Sequence, residues 1–363
     1  MAPDLTSEAT LEPDEKGRLF IGLLNLRTVA ERLGEQHWLL TAQPESHDQL
    51  FWESLAQSRN RELRPLADLP ALFEPFAVSR LKPLGKILRE NAHAIVRESL
   101  RMPEPEYRKF VRAAAQEMWA FSEFEREWRP ERVRIEDSRS RRLAELGPGA
   151  VWPAVRPLLE EIVLPEGLFR AFDMMDDILQ LQYERDLMME NVPETRERIF
   201  ENSGAGVQTS YATAMVALQA LDMRPGETLI DLGSGYGRVG ILGGLLREDL
   251  QFVGYEFVRH RVECSQNSGE RAGLGHVRFH CQDLGDPDFE IPAAAVYYLY
   301  DPFNEETYRR VLRRIHAVAS RKPVRVVTNA DAGAWFQKFM TPERWFPPEI
   351  HDGGTLRIFR SRA

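Results

Sequence analysis

The sequence predicts an α/β protein: a doubly wound, seven-stranded, mostly parallel sheet in residues 207–363, preceded by an all-helical domain. Three observations predict it. Short apolar runs alternate with helical stretches from Thr228 to the end. The run Thr228-Leu-Ile-Asp-Leu-Gly-Ser-Gly-Tyr-Gly-Arg-Val-Gly240 reads as a buried strand, a glycine-rich turn and the start of a helix. Before about Glu190 the pattern is helical, with few alternating runs.

In chain order, residues 1–17 are polar and expected to form a flexible tail, and 18–190 a helical domain. Leu19, Ile21, Leu23, Leu24 and Leu26 open an apolar helix whose face continues through Val29 and Leu33. The run from Tyr107 to Phe121 joins strong helix formers to an apolar stripe. Prolines from Pro65 to Pro165 divide this half into helices of modest length. The aromatics from Trp119 to Trp128 and the methionines 174, 175, 188 and 189 are expected to pack inside. Residues 191–206 read as the linker. A helix is then expected over 209–221, followed by the turn Met223-Arg-Pro-Gly226. Strands are expected near 228–232, 251–256, 276–281, 294–300 and 323–328, with helices near 237–247, 258–272, 304–319 and 332–339. Two closing strands, over 344–350 and 355–360, form a hairpin that adds an antiparallel edge.

The chain has 363 residues, enough for two domains, and its composition is globular at 43% hydrophobic and 28% charged. A net charge of -9 argues against nucleic acid as a partner of the whole surface. Two cysteines, Cys264 and Cys281, provide neither a disulfide framework nor metal-ligand spacing, which suits a reducing cytoplasm. No apolar run reaches the roughly 18 residues of a membrane helix. The start, Met-Ala-Pro-Asp-Leu, lacks the basic residues of a secretory signal.

Gly233, Gly235 and Gly237 remove side chains where the backbone turns and approaches a ligand, and the next helix presents its N-terminus there. Gly235-Tyr-Gly237-Arg-Val-Gly240 also fits the dinucleotide fingerprint, which would make an NAD-binding oxidoreductase. That reading extends the strand to Leu232 and leaves Asp231 inside it, where a carboxylate is costly unless paired. Asp231 would also repel a pyrophosphate. Taken as the residue that ends the strand, Asp231 suits a cationic ligand. Twenty-five positions on, Glu256 ends the second strand, where a carboxylate can pair with a ribose diol.

These residues carry a resemblance. Ile230-Asp-Leu-Gly-Ser-Gly-Tyr-Gly237 resembles the first motif of class I S-adenosylmethionine-dependent methyltransferases, over about residues 205–360. The resemblance implies the Rossmann-like fold of that class and S-adenosylmethionine as cofactor. It implies Asp231 and Gly233 near the methionine moiety and Glu256 on both ribose hydroxyls. It implies that Asp283, after the third strand, accepts from the adenine amino group while Leu284 packs on the ring.

The fourth strand leads into Asp301-Pro302-Phe303, similar to the Asn-Pro-Pro-Tyr of many N-methyltransferases. By that likeness these three residues form the catalytic position. Asp301 can hold an amine by charge-assisted hydrogen bonding, and Phe303 or Tyr300 can pack on its carbon chain. Gln208-Thr209-Ser210 is similar to the Glu-Thr-Ser of histone lysine methyltransferases of the disruptor-of-telomeric-silencing type, which implies that Gln208 and Thr209 close over the cofactor. As a plain helix start, Thr209 or Ser210 would serve as the N-cap. The expected acceptor is a protein side-chain amine or a small amine. The competing classes are the oxidoreductase and a non-catalytic cofactor-binding module. Asp173, Asp176 and Asp177 are read as a solvated helix face and not as a metal site. The arginines from Arg309 to Arg321 are read as a solvated face, and His260 and His316 as surface residues on helices.

Overall fold

A computed structural model describes residues 17, 93–119, 122, 172–188, 208–351 and 354–362. The tail, the helix from Arg18, most of the run from Trp119 to Trp128, Met189 and the linker at 191–206 lie outside the described residues. The chain divides into two compact units, Met1–Gly167 and Leu168–Ala363. In the first, 93–99 and 104–119 are helical. The longer helix buries Tyr107, Phe110, Val111, Ala114, Ala115 and Met118, the spacing of a single helical face. Among the described residues no helix is long and apolar enough to cross a membrane.

The second unit is built on a sheet of β1 Thr228–Leu232, β2 Gln251–Glu256, β3 Val277–Cys281, β4 Val296–Tyr300, β5 Arg325–Asn329, β6 Glu349–His351 and β7 Leu356–Arg360. The order is β3-β2-β1-β4-β5-β7-β6. β1 to β5 pair in parallel, and β7 runs antiparallel to both β5 and β6. The seven strands, the parallel body and the antiparallel hairpin edge are those the sequence predicts. β1 is central, and four of its five residues are buried, as a strand covered on both faces should be.

The helices are α1 Met174–Leu179, α2 Tyr211–Ala220, α3 Arg238–Leu246, α4 Arg259–Arg271, α5 Glu305–Ala319 and α6 Ala332–Phe339. A 3-10 turn, Tyr183–Met188, follows α1. Ser210 caps α2 by accepting from the Thr213 N–H at 3.0 Å. Asn304 caps α5 by accepting from Thr307, and α5 buries Tyr308, Val311, Leu312, Ile315 and Ala319 along one stripe. Tyr297, Leu299, Val326, Phe336 and Phe359 complete the core beneath it. Residues 172–188, which the sequence reading placed in the helical half, belong to the second unit. Ser268 Oγ donates to the Leu179 carbonyl, and Tyr236 donates to the Gln182 carbonyl.

From β1 the chain moves outward through β2 to β3, then crosses back to β4 on the other side of β1 and continues to β5. Strand order reverses at β1/β4, so the crevice at their carboxyl ends is the place for a ligand. The glycine turn opens there. Gly237 has φ +81°, and a Cβ on it would lie 2.6 Å from the Phe279 ring and 2.8 Å from Ser265 Cβ. Gly237→Ala is therefore expected to destabilise the unit by about 2–4 kcal/mol, the sum of left-handed strain and overpacking. An unchanged thermal unfolding transition would contradict this.

Candidate functional site

The carboxyl ends of the strands bring most of the expected residues together. Gly233, Gly235 and Gly237 all have positive φ, and the Gly233 and Ser234 N–H groups donate to the Tyr255 carbonyl at 2.9 Å, tying the turn to β2. A Cβ on Gly233 would lie 2.4 Å from Pro302 Cβ, so Pro302 presses on the turn from the β4 side. A Cβ on Gly235 would lie 2.9 Å from Gln208 Oε1, so the buried Gln208 amide covers the turn from the α2 side. Thr209 is buried, and its hydroxyl is 3.1 Å from that of Tyr298, a β4 residue in register with Asp231.

Asp231 corrects one expectation. β1 runs to Leu232, and Asp231 pairs with Gly254 and Tyr298 inside the sheet, so it does not end the strand. The strand boundary therefore does not separate the dinucleotide reading from the other. The charge still does. Asp231 is 3% exposed, and burial followed by the charge of Glu256 holds its carboxyl well above the usual carboxylate range. Among the described residues no cation offsets it. A buried carboxylate of this kind favours a ligand that brings positive charge and disfavours a pyrophosphate.

Glu256 ends β2 as expected. Its Oε2 accepts from the Gly235 N–H at 2.9 Å and its Oε1 from the Val258 N–H at 3.0 Å. A carboxylate offers roughly four lone-pair positions, so acceptor capacity remains for a diol. Asp283 follows β3, half-buried, with Oδ1 accepting from the Gly285 N–H at 2.8 Å. Leu284 and Phe303 have a different place from the one expected. Both are fully buried in the core cluster, where Phe303 packs edge-on to Tyr308. Neither presents a face to a ligand, because the turns after β3 and β4 point them inward. Tyr300, half-buried, is the aromatic left at the end of β4.

Asp301 is 7% exposed and accepts from the Tyr308 hydroxyl at 3.1 Å. Its φ is +40°, and Ala330, after the neighbouring β5, has φ +53°. Two non-glycine residues in the left-handed region at adjacent strand ends mark a shaped site. Sequence reasoning missed Tyr298, Ala330 and the buried Asn329 beside it. Position at a strand end was the one signal available for the last two.

The charged features singled out from sequence differ from expectation. Asp176 is buried, not solvated: Arg238, the first residue of α3, donates from Nε at 3.0 Å and from Nη2, and Tyr211 donates at 2.7 Å. Arg238 Nη1 also donates to the Thr209 carbonyl at 3.3 Å, which links Asp176 to the lip of the site. His260 is half-buried against Asp186, and His316 accepts from Trp345 Nε1, so neither is a plain surface residue. Burial depresses the His316 pKa. Arg310 and Arg314 hold the carbonyls of Gly285 and Pro287, so part of the basic run pins the β3–β4 connection. Arg309, Arg313 and Arg344 border a groove of about 440 Å³ with Ser320 and Thr341. Ser320 caps the end of α5 that leads into β5, so the groove lies away from the crevice. Cys264 is buried and Cys281 exposed, both as free thiols.

No family model matches the chain. A phenazine O-methyltransferase, PhzM, of Lysobacter antibioticus is 33% identical over 104 residues, which is 28% of this chain and 29% of that protein. The chain thus aligns with less than a third of the curated relative it matches. Among solved structures, TrmN from Thermus thermophilus is 15% identical, covering 50% of this chain and 52% of its own, with a TM-score of 0.35. An RNA methyltransferase from Salinibacter ruber, in complex with S-adenosyl-L-homocysteine, is 26% identical, covering 42% of this chain and 92% of its own, with a TM-score of 0.32. The order β3-β2-β1-β4-β5-β7-β6 with β7 antiparallel, and the glycine turn after β1, give residues 208–362 the Rossmann-like fold of the class I methyltransferases.

Proposed function

We propose that the protein is an S-adenosylmethionine-dependent methyltransferase acting on an amine, either a protein side chain of lysine type or a small molecule. The observation that carries the cofactor is Asp231, a buried carboxylate with no cation beside it among the described residues, next to a glycine turn and a second buried carboxylate, Glu256. S-adenosylmethionine supplies an electrophilic methyl on a sulfonium, together with an ammonium and a ribose diol. Asp231 would hold the ammonium and Glu256 the diol. Asp283 would receive the adenine amino group, and Gln208 and Thr209 would cover the glycine turn. Gly233, Gly235 and Gly237 leave the space that any side chain would fill.

For the acceptor, Asp301 is the group to watch. Held by Tyr308 in a left-handed turn, it can orient an amine and take its proton before in-line transfer. Tyr300 would pack on the acceptor's carbon chain. O-methylation is a second reading, favoured by the phenazine O-methyltransferase to which the chain is similar in part.

Calorimetry with S-adenosylhomocysteine and with NAD separates the cofactor readings. Binding of NAD alone would sink the methyltransferase reading and favour an oxidoreductase. Labelled S-adenosylmethionine incubated with lysate and read by mass spectrometry identifies the acceptor atom. Cofactor binding with no transfer to any component would favour a non-catalytic module. Asp301→Ala is expected to lower turnover about a hundredfold or more while S-adenosylhomocysteine affinity stays within about twofold. Surviving turnover would remove Asp301 from the acceptor site.

A further inference from the structure

Asp186 lies outside the sheet, in the 3-10 turn Tyr183–Met188, yet it is 3% exposed and three side chains converge on it. Arg261, on α4, forms a fork on it, with Nε 3.1 Å from Oδ1 and Nη2 3.0 Å from Oδ2. His260 Nε2 is 2.6 Å from Oδ1, and the Tyr236 hydroxyl donates to Oδ1 at 2.8 Å. Burial pushes the Asp186 carboxyl up, but the Arg261 fork, then His260 and Tyr236, outweigh it, and the carboxyl lies below its ordinary value. Asp186 is therefore an anion at neutral pH, neutralised mainly by Arg261.

The far side of this cluster touches the site twice. The third nitrogen of the same guanidinium, Nη1, is 3.6 Å from Glu256 Oε1. Tyr236 stands between Gly235 and Gly237, so its anchored hydroxyl fixes the middle of the glycine turn. Tyr183 packs edge-on to Tyr236, with ring centroids 4.5 Å apart, and Tyr236 also donates to the Gln182 carbonyl. One buried carboxylate thus braces two parts of the β1–β2 side of the crevice, the turn through Tyr236 and the β2 carboxylate through Arg261.

We propose that Asp186 and Arg261 are positioning residues for nucleoside binding: Asp186 fixes the Arg261 guanidinium, and Arg261 fixes the Glu256 carboxylate that receives the ribose hydroxyls. This rests on the cofactor reading above. The guanidinium is planar and rigid, so two of its nitrogens held on Asp186 determine where the third lies. A carboxylate flanked by a fixed cation and two backbone N–H donors has little freedom to turn away. Its remaining lone pairs are then aimed before the ligand arrives, which reduces the ordering loss on binding.

The test uses the full chain and calorimetric titration with S-adenosylhomocysteine and with its analogue lacking both ribose hydroxyls. Arg261→Met is expected to weaken S-adenosylhomocysteine about tenfold. It should change affinity for the analogue by no more than about twofold. The loss should also disappear in a Glu256→Ala background, the mark of a residue acting through Glu256. Asp186→Asn should reproduce the pattern, and Arg261→Lys, which keeps the charge without the fork, should fall between Arg261→Met and the parent. Arg261→Lys and Asp186→Asn carry the test if Arg261→Met does not fold. Equal losses for both ligands, or losses additive with Glu256→Ala, overturn the proposal. So does an intact affinity in the Arg261 and Asp186 variants when Glu256→Ala is weakened. If the parent protein does not bind S-adenosylhomocysteine at all, the cofactor reading falls and this proposal with it.

Discussion

Asp176→Ala is expected to lower the stability of the second unit by about 3–5 kcal/mol, the typical loss when one partner of a buried ion pair is removed. The Arg238 side chain is 3% exposed and receives two contacts from Asp176. Without that carboxylate the anion it keeps among the described residues is Asp173, at 3.2 Å and partly open to solvent, beside the Thr209 carbonyl and the Tyr183 hydroxyl. For a unit of this size the change corresponds to a fall of roughly 10 °C in the unfolding midpoint, measurable by circular dichroism or calorimetry. The double replacement Asp176→Leu with Arg238→Met should recover much of the loss, because an apolar pair of similar volume avoids desolvating two charges. A fall of less than about 1 kcal/mol for Asp176→Ala would mean that the pair is solvated in solution. The same ion pair bears on where the second unit begins. A fragment starting at residue 207 keeps Arg238 and loses Asp176, so it should behave like the alanine variant, whereas one starting at 168 should not.

That boundary shows what the sequence could and could not reveal. Apart from β6, which begins at Glu349 and not at Arg344, the strands and helices after residue 208 lie within two residues of their expected ends, because each carries its own period and its own turn residues. The glycine turn and the acids at 231, 256 and 283 stand at fixed offsets from those strands, so they were legible too. Asp176 and Arg238 are 62 positions apart, and Asp186 and Arg261 are 75 apart. Nothing local distinguishes Asp173-Met-Met-Asp-Asp177 on a solvated helix from the same residues turned onto a guanidinium. Burial there is decided by a partner that only the folded chain supplies. The burial of Leu284 and Phe303 in the core was hidden for a related reason. A motif fixes where the backbone leaves the strand, but the turn after it decides which side chain faces the crevice. The bounds of β1 match the expected 228–232, and it was the placing of Asp231 at the strand's end that failed, because the ladder to β2 continues through Leu232 opposite Tyr255.

Asp231→Asn is expected to move stability and binding in opposite directions. The Asp231 carboxyl is raised well above its ordinary value by burial and then by Glu256, so the native state holds its proton more tightly than the unfolded chain does. Its contribution therefore favours folding at acid pH and is lost as pH rises from the ordinary carboxylate range through the raised value. An asparagine has no such loss. The variant should match the parent near pH 4 and exceed it in thermal stability by a margin that widens toward pH 8. Cofactor affinity should fall about tenfold to a hundredfold, the usual loss for one charge-assisted contact in a buried site. In the parent, an arriving ammonium lowers the Asp231 pKa, so binding of S-adenosylhomocysteine should release protons. Calorimetry in buffers of different ionisation enthalpy reads that release directly, and the variant should lack the Asp231 share of it. A variant less stable than the parent at pH 8 would mean that the carboxylate is satisfied within the sheet. An affinity for S-adenosylhomocysteine equal to the parent's would mean that the ammonium is held elsewhere. Either result would remove the observation on which the cofactor assignment rests. The two opposed shifts together would identify Asp231 as a residue kept for its ligand at the expense of the fold.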